Sequence, residues 1–235
     1  MKDNVMKNLK VFISLLIAVF IPFGIMIWFR AHQSSGFATQ ELIIYPLLFG
    51  GLGIGMIYLL KKYLLKENIS EFNSGRGNWS SDILWGLALT TLYFILFYVE
   101  RLTLSNLLNF NSNEELLGLM LDMRRNPILI ALWFGPVLCL GIALYEELIR
   151  VFILTSLWSF SNQKTWLYLV VIIAALIIGL THWSQGPYGI VTIAIKSMVS
   201  GFFFLKFKRF LPLVIAHILY DGIQVGMLLI TYPAI

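Results

Sequence analysis

Seven ionisable residues stand inside or at the ends of long apolar runs in the second half of this 235-residue chain: Glu146, Glu147, Arg150, His182, Lys196, His217 and Asp221. A charge near the centre of a bilayer costs at least ~3 kcal/mol on insertion scales, so such residues mark function or are paired. Their spacing is ordered. Glu146 and Arg150 are at i,i+4, and so are His217 and Asp221, which puts each pair on one helix face. Glu147 points about 100° away from Glu146 on a helix of 3.6 residues per turn. His182 closes a separate run. Three helices can therefore converge two imidazoles, several carboxylates and one guanidinium.

That set suits hydrolysis in two ways. His182, His217 and Asp221 can serve as three ligands for a divalent ion, zinc above all, with a water in the fourth position to be activated. Without a metal, a glutamate can take the proton from water while a histidine stabilises the developing oxyanion. Two other classes use the same residue types. A scaffold or immunity protein would need them only as an Arg–Glu pair and a His–Asp bond. A small-solute or proton-coupled transporter would use them as a relay, but the sequence shows no repeat of one half in the other.

The elements that must position these residues are membrane helices. Hydrophobic residues make up 59% of the chain, charged residues only 12%, and the mean hydropathy is +0.83, where a soluble domain has about a quarter charged residues. The apolar residues fall into runs near Val11 to Phe29, Leu42 to Leu60, Ile83 to Val99, Pro127 to Phe160, Trp166 to Thr181, Ile190 to Leu205 and Leu211 to Ile230. These runs of about twenty residues have the membrane-helix pattern, a hydrocarbon core being about 30 Å thick. The expected fold is all-α, a polytopic transmembrane bundle of about seven spans forming one domain over residues 1–235. The run after Pro127 is too long for one upright span. Gly135 and Pro136 offer a kink or a break within it. Glu67 to Ser81 reads as a loop, and Leu102 to Asn126 as an amphipathic interfacial segment or a long loop.

Basic residues collect at alternate ends of the runs. Lys2, Lys7 and Lys10 fall on one side with Lys61, Lys62, Lys66 and Arg76, with Lys164, and with Lys206, Lys208 and Arg209. Arg30, Arg101, Arg124 and Arg125 fall on the other. The excess predicts a multi-pass protein of the cell membrane with its N-terminus in the cytoplasm. The net charge of +5 is thus a matter of topology and lipid headgroups, and no nucleic-acid module is present. Cys139 is the only cysteine, so an intrachain disulfide is excluded.

Taken together, the motif residues resemble the CAAX-protease and bacteriocin-processing (Abi-like) family of intramembrane proteases. That family carries Glu-Glu-x-x-x-Arg, then Phe-x-x-x-His, then His-x-x-x-Asn or Asp, each in a membrane helix. Glu146-Glu147 matches the first, Ile178-x-x-x-His182 the second with Ile for Phe, and His217-x-x-x-Asp221 the third. The likeness covers about residues 136–225. The arginine comes one residue early, so that an ungapped alignment sets Val151 at the family's arginine, whereas one anchored on Arg150 sets Tyr145 at its first glutamate. The ungapped alignment keeps Glu146 at the catalytic position. The resemblance implies peptide-bond hydrolysis of membrane-associated, prenyl- or bacteriocin-type substrates. It implies Glu146 as base, His182 and His217 as metal ligands or oxyanion donors, Asp221 as their support, and Glu147 and Arg150 as orienting residues.

Overall fold

The structure, a computed structural model, describes residues 2–32, 41–109 and 114–232. All its regular elements are helical. They are α1 (Lys2–Ala31), α2 (Glu41–Leu59), α3 (Trp79–Thr103), α4 (Glu114–Met123), α5 (Pro127–Leu132), α6 (Tyr145–Trp158), α7 (Lys164–Thr181), α8 (Gly186–Phe207) and α9 (Leu211–Thr231). Wide π-helical turns extend α2 over Leu60–Leu65 and join α5 to α6 over Trp133–Leu144. Six continuous helices among the described residues are long and apolar enough to span a bilayer, with mean hydropathies from 1.7 to 2.3. The first apolar run adds the 30-residue α1. The chain is therefore a multi-pass membrane protein.

The stretch from Pro127 resolves as one continuous 32-residue helix ending at Trp158. Pro136 lies within its π-helical turns. A proline removes one backbone donor, and the wider π turn absorbs that defect without breaking the helix. Asn126 starts the helix by accepting from the amides of Ile128 and Leu129. The third span begins earlier than its apolar run. Asn78 accepts from the Ser81 amide at 2.9 Å and Ser81 Oγ accepts from the Asn78 amide at 2.9 Å, so the helix starts at Trp79 inside the segment expected to be loop. A further 3₁₀ turn, Ile69–Asn73, shortens that loop again. The segment between Leu102 and Asn126 contains the short helix α4, while residues 110–113 lie outside the described ones.

α6 runs through the middle of the bundle. Val151, Phe152, Ile153 and Leu154 are all buried, against Ala18 of α1, Ile57 of α2, Val170 and Ala174 of α7 and Phe204 of α8. Small residues bring the neighbouring helices close, as membrane packing favours. A methyl group at Gly50 would stand 2.5 Å from the Gly141 carbonyl, and one at Gly179 would stand 2.6 Å from the Ile190 carbonyl. The first contact seats the π-helical stretch on α2, just ahead of Glu146. The α8–α9 turn is fixed by Arg209. Its guanidinium forms a two-pronged ion pair with Asp82 of α3 and donates to the Gly75 carbonyl at 3.0 Å.

Candidate functional site

α3, α6, α8 and α9 enclose a cavity of about 390 Å³, and the link between α7 and α8 forms part of its wall. Every site residue expected from the sequence lines it: Glu146, Glu147, Arg150, His182, His217 and Asp221. Lys196, which had no motif role, lines it as well.

The two adjacent glutamates occupy different surroundings. Glu147 is 3% exposed. Its Oε1 pairs with the Arg150 guanidinium and faces His217 Nδ1 at 2.9 Å. Arg150 is itself buried and donates from Nε to Ser197 Oγ of α8 at 3.0 Å. Glu147 is thus held between a guanidinium and an imidazole. Glu146 has a side chain that is 33% exposed, with Oε2 3.8 Å from His217 Nε2. The expected i,i+4 pair of Glu146 with Arg150 is not what forms. Arg150 pairs at i,i+3 with Glu147, because both face the packed side of α6 toward α8. This also explains how the early arginine fits. On a helix, partners at i+3 and i+4 lie on the same face, so an arginine one place early still reaches the second glutamate and leaves the first free.

His217 is the hub. Its Nδ1 faces Glu147, and its Nε2 lies 3.2 Å from Asp221 Oδ2, one turn along α9. Asp221 is 30% exposed, so this side of the ring opens into the cavity. A neutral imidazole has a single N–H and can donate to only one of two carboxylates, whereas a doubly protonated ring serves both. His182 stands where α7 ends. Its Nδ1 is 3.0 Å from the Ile178 carbonyl, which makes Nδ1 the donor and leaves Nε2 an acceptor. Ile178 is the residue that replaces the family's phenylalanine, and it meets His182 through its backbone, which is insensitive to that exchange.

A second polar centre lies beyond the hub and was not assembled from the sequence. Lys196 of α8 forms an ion pair with Glu100 of α3, whose carboxylate is buried. Tyr93 and Ser200 share a 2.6 Å hydrogen bond, and Gln224 donates to the Tyr220 hydroxyl at 2.9 Å. Glu100 directly follows the apolar run Ile83 to Val99. Its position three residues before the end of α3 gives no sign that α8 passes beside it.

Among the described residues no group of three or more His, Cys, Asp or Glu side chains is arranged to hold a metal ion. The expected ligand set His182, His217 and Asp221 therefore does not come together as such a cluster, although His217 and Asp221 are adjacent.

Fold and site together define a polytopic helical membrane protein with a carboxylate- and histidine-lined chamber inside the bundle. Residues 128–223 match the family model described as Type II CAAX prenyl endopeptidase Rce1-like, which is the family the three motifs resemble. The matched stretch is less than half of the chain and includes Glu146, Glu147, Arg150, His182, His217 and Asp221. No curated protein and no solved structure gives a significant match. That similarity supports a protease-type function carried out in association with the membrane.

Proposed function

We propose that the protein is an intramembrane endopeptidase that hydrolyses peptide bonds with a water activated by Glu146. The observation that carries this reading is the unequal treatment of the two glutamates. Glu147 is consumed by Arg150 and His217, while Glu146 faces the cavity with no guanidinium on it. A general base must reach the proton that it abstracts and must not already be neutralised. Glu146 satisfies both conditions.

In this reading a substrate carbonyl lies in the chamber beside His217. Glu146 takes a proton from water as the oxygen attacks the carbonyl carbon. The Nε2–H of His217 donates to the oxyanion that forms, and Asp221 orients the ring and compensates its charge. Glu147 and Arg150 fix the opposite edge of the same ring. His182 Nε2 accepts a hydrogen bond from substrate or water. Collapse of the tetrahedral intermediate passes the proton from Glu146 to the departing amine. The chamber is also the kind of space the reaction needs, since hydrolysis inside a bilayer requires a walled place for water.

The test compares wild type with Glu146→Gln and Glu147→Gln in proteoliposomes or in cells, with cleavage products read by mass spectrometry. Glutamine keeps the shape and cannot accept the proton. Cleavage of a given substrate falls by about 10²–10⁴-fold for Glu146→Gln, the usual contribution of a general base. Equal cleavage by both single variants and by the double variant would overturn the glutamate mechanism. A solute flux that depended on these residues would favour the transporter.

A further inference from the structure

The chamber's lining reaches one end of the bundle, the open end, and stops short of the other, the closed end. The α7–α8 link lies at one end, and His182, Gln185 and Tyr188 from it line the cavity. Glu100, three residues from the end of α3, lines the same region. The chain before α4 is tied there too, since the Tyr188 amide donates to the Asn109 carbonyl at 3.2 Å. At the other end lie the turns α6–α7 and α8–α9 and the α2–α3 loop. None of their residues lines the cavity. Toward that end the lining stops at His217 and Ser200, six residues from the start of α9 and seven from the end of α8, or about 9–10 Å short. Below them the bundle is filled by Leu154, Phe204 and Leu213, all buried, and Trp158 stacks on Phe204 at 5.8 Å.

Charge distinguishes the same two ends. The closed end carries the basic clusters at the starts of α1, α7 and α9 and around the α2–α3 and α8–α9 connections, eleven of the seventeen Lys and Arg residues. The open end carries four, all arginines: Arg30, Arg101, Arg124 and Arg125. Arg124 is fixed at that end through its guanidinium, which donates to the carbonyls of Leu229 and Tyr232 at the end of α9. Arg150 and Lys196 lie between the two ends. An excess of this size in short connections sets orientation, with the basic end in the cytoplasm.

From these two observations we infer that the reaction centre opens away from the cytoplasm, and that its substrates are peptide segments presented on the outer side of the membrane: an exported peptide, or the outward loop or tail of a membrane protein. The sidedness stands on the cavity and the charges alone. The substrate class rests in addition on the protease reading. A cytosolic chain would have to pass the closed end to reach Glu146, while an outward segment meets Tyr188, Gln185 and His182 first. The barrier to a cytosolic substrate is the apolar packing around Phe204.

The experiment has two arms that fail separately. In a Cys139→Ser background, single cysteines replace Thr103 at the open end, Ile193 in the cavity wall and Asn162 at the closed end. A membrane-impermeant maleimide is applied to intact cells and to inverted vesicles. Thr103→Cys and Ile193→Cys label in intact cells, and Asn162→Cys labels only in inverted vesicles. Labelling of Ile193→Cys only from the Asn162 side, or from neither side, overturns the outward opening. The second arm compares new peptide termini in cells that express wild type or Glu146→Gln. Termini lost with the variant fall in segments outside the cytoplasm. Their falling in cytosolic segments overturns the substrate class. The loss of no terminus at all overturns the protease reading and leaves the labelling result standing.

Discussion

Glu146→Gln and Glu147→Gln change neighbouring residues in the same way and should fail in different ways. Glu147 pairs with an Arg150 that is 5% exposed, so removing its charge leaves a buried guanidinium without its anion. Breaking a buried pair from one side costs about 3–5 kcal/mol. For a chain of this length each kcal/mol moves the unfolding midpoint by about 2–4 °C, which gives a loss of roughly 6–20 °C for Glu147→Gln. Glu146 has a partly exposed side chain, and its nearest ionic partner is His217 at 3.8 Å. Exposed pairs are worth about 0–1 kcal/mol, so Glu146→Gln should move the midpoint by only about 4 °C at most. Its cleavage rate should nevertheless fall by about 10²–10⁴-fold. The assay follows tryptophan fluorescence of detergent-solubilised protein at one fixed scan rate, because membrane proteins unfold irreversibly, and is run beside product formation. A Glu147→Gln protein that melts with wild type would show that the Arg150 pair does not hold the hub. A Glu146→Gln protein that melts far below wild type would show that Glu146 is a structural residue and that its loss of activity is no sign of catalysis.

Other consequences can be checked in the same preparations. Asp82→Asn removes the anion from buried Arg209 and should lower the midpoint by a similar roughly 6–20 °C, while the double change Asp82→Leu with Arg209→Met should recover part of the loss. Burial pushes the Lys208 ammonium down to about 8, even though the Trp158 ring face, 3.8 Å away, favours its charged form. Between that value and the ordinary 10.5 the unfolded chain binds more protons than the folded one, so stability should rise with pH over this window, and Lys208→Met should remove that rise in a melting series. Metal analysis of purified protein with and without His217→Ala tests the zinc expectation. A bound stoichiometry that drops with the variant would place an ion at His217, and an unchanged one would remove it from this site.

Much of this site was legible because a membrane makes ionisable residues conspicuous. Glu146, Glu147, Arg150, His182, His217 and Asp221 stood out against apolar runs, and the cost of leaving them in lipid was enough to predict one shared chamber, which the structure places between α3, α6, α8 and α9. Three things were not legible. The Glu100–Lys196 pair joins residues 96 positions apart, and no local pattern reports which helices are neighbours. The early start of α3 depends on a capping pair, Asn78 with Ser81, hidden in a polar stretch that also suits a loop. The choice between the two glutamates was open because periodicity gives directions around a helix but not the direction of the packed side.

That last choice shows how far a one-residue displacement matters on a helix. A strand would have turned the arginine to the opposite face, because side chains there alternate with period two. On a helix the displaced arginine turns by about 100° yet keeps a glutamate within one turn. The residue that pays is the partner, not the site: an arginine three rather than four places on still takes Glu147, and Glu146 remains clear of it. A variant that moves the arginine back tests this directly. In Arg150→Val with Val151→Arg, the guanidinium again stands four residues from Glu147, where the family has it. If the pair is what holds the hub, this double variant should melt closer to wild type than Arg150→Val alone and should restore cleavage that the single change loses. Val151 is fully buried, however, in contact with the central core, while Arg150 Nε is bonded to Ser197. The alternative outcome, a double variant no better than the single one, would mean that this chain has repacked around its early arginine and that Ser197 on α8, rather than the glutamate spacing on α6, fixes where the guanidinium must be.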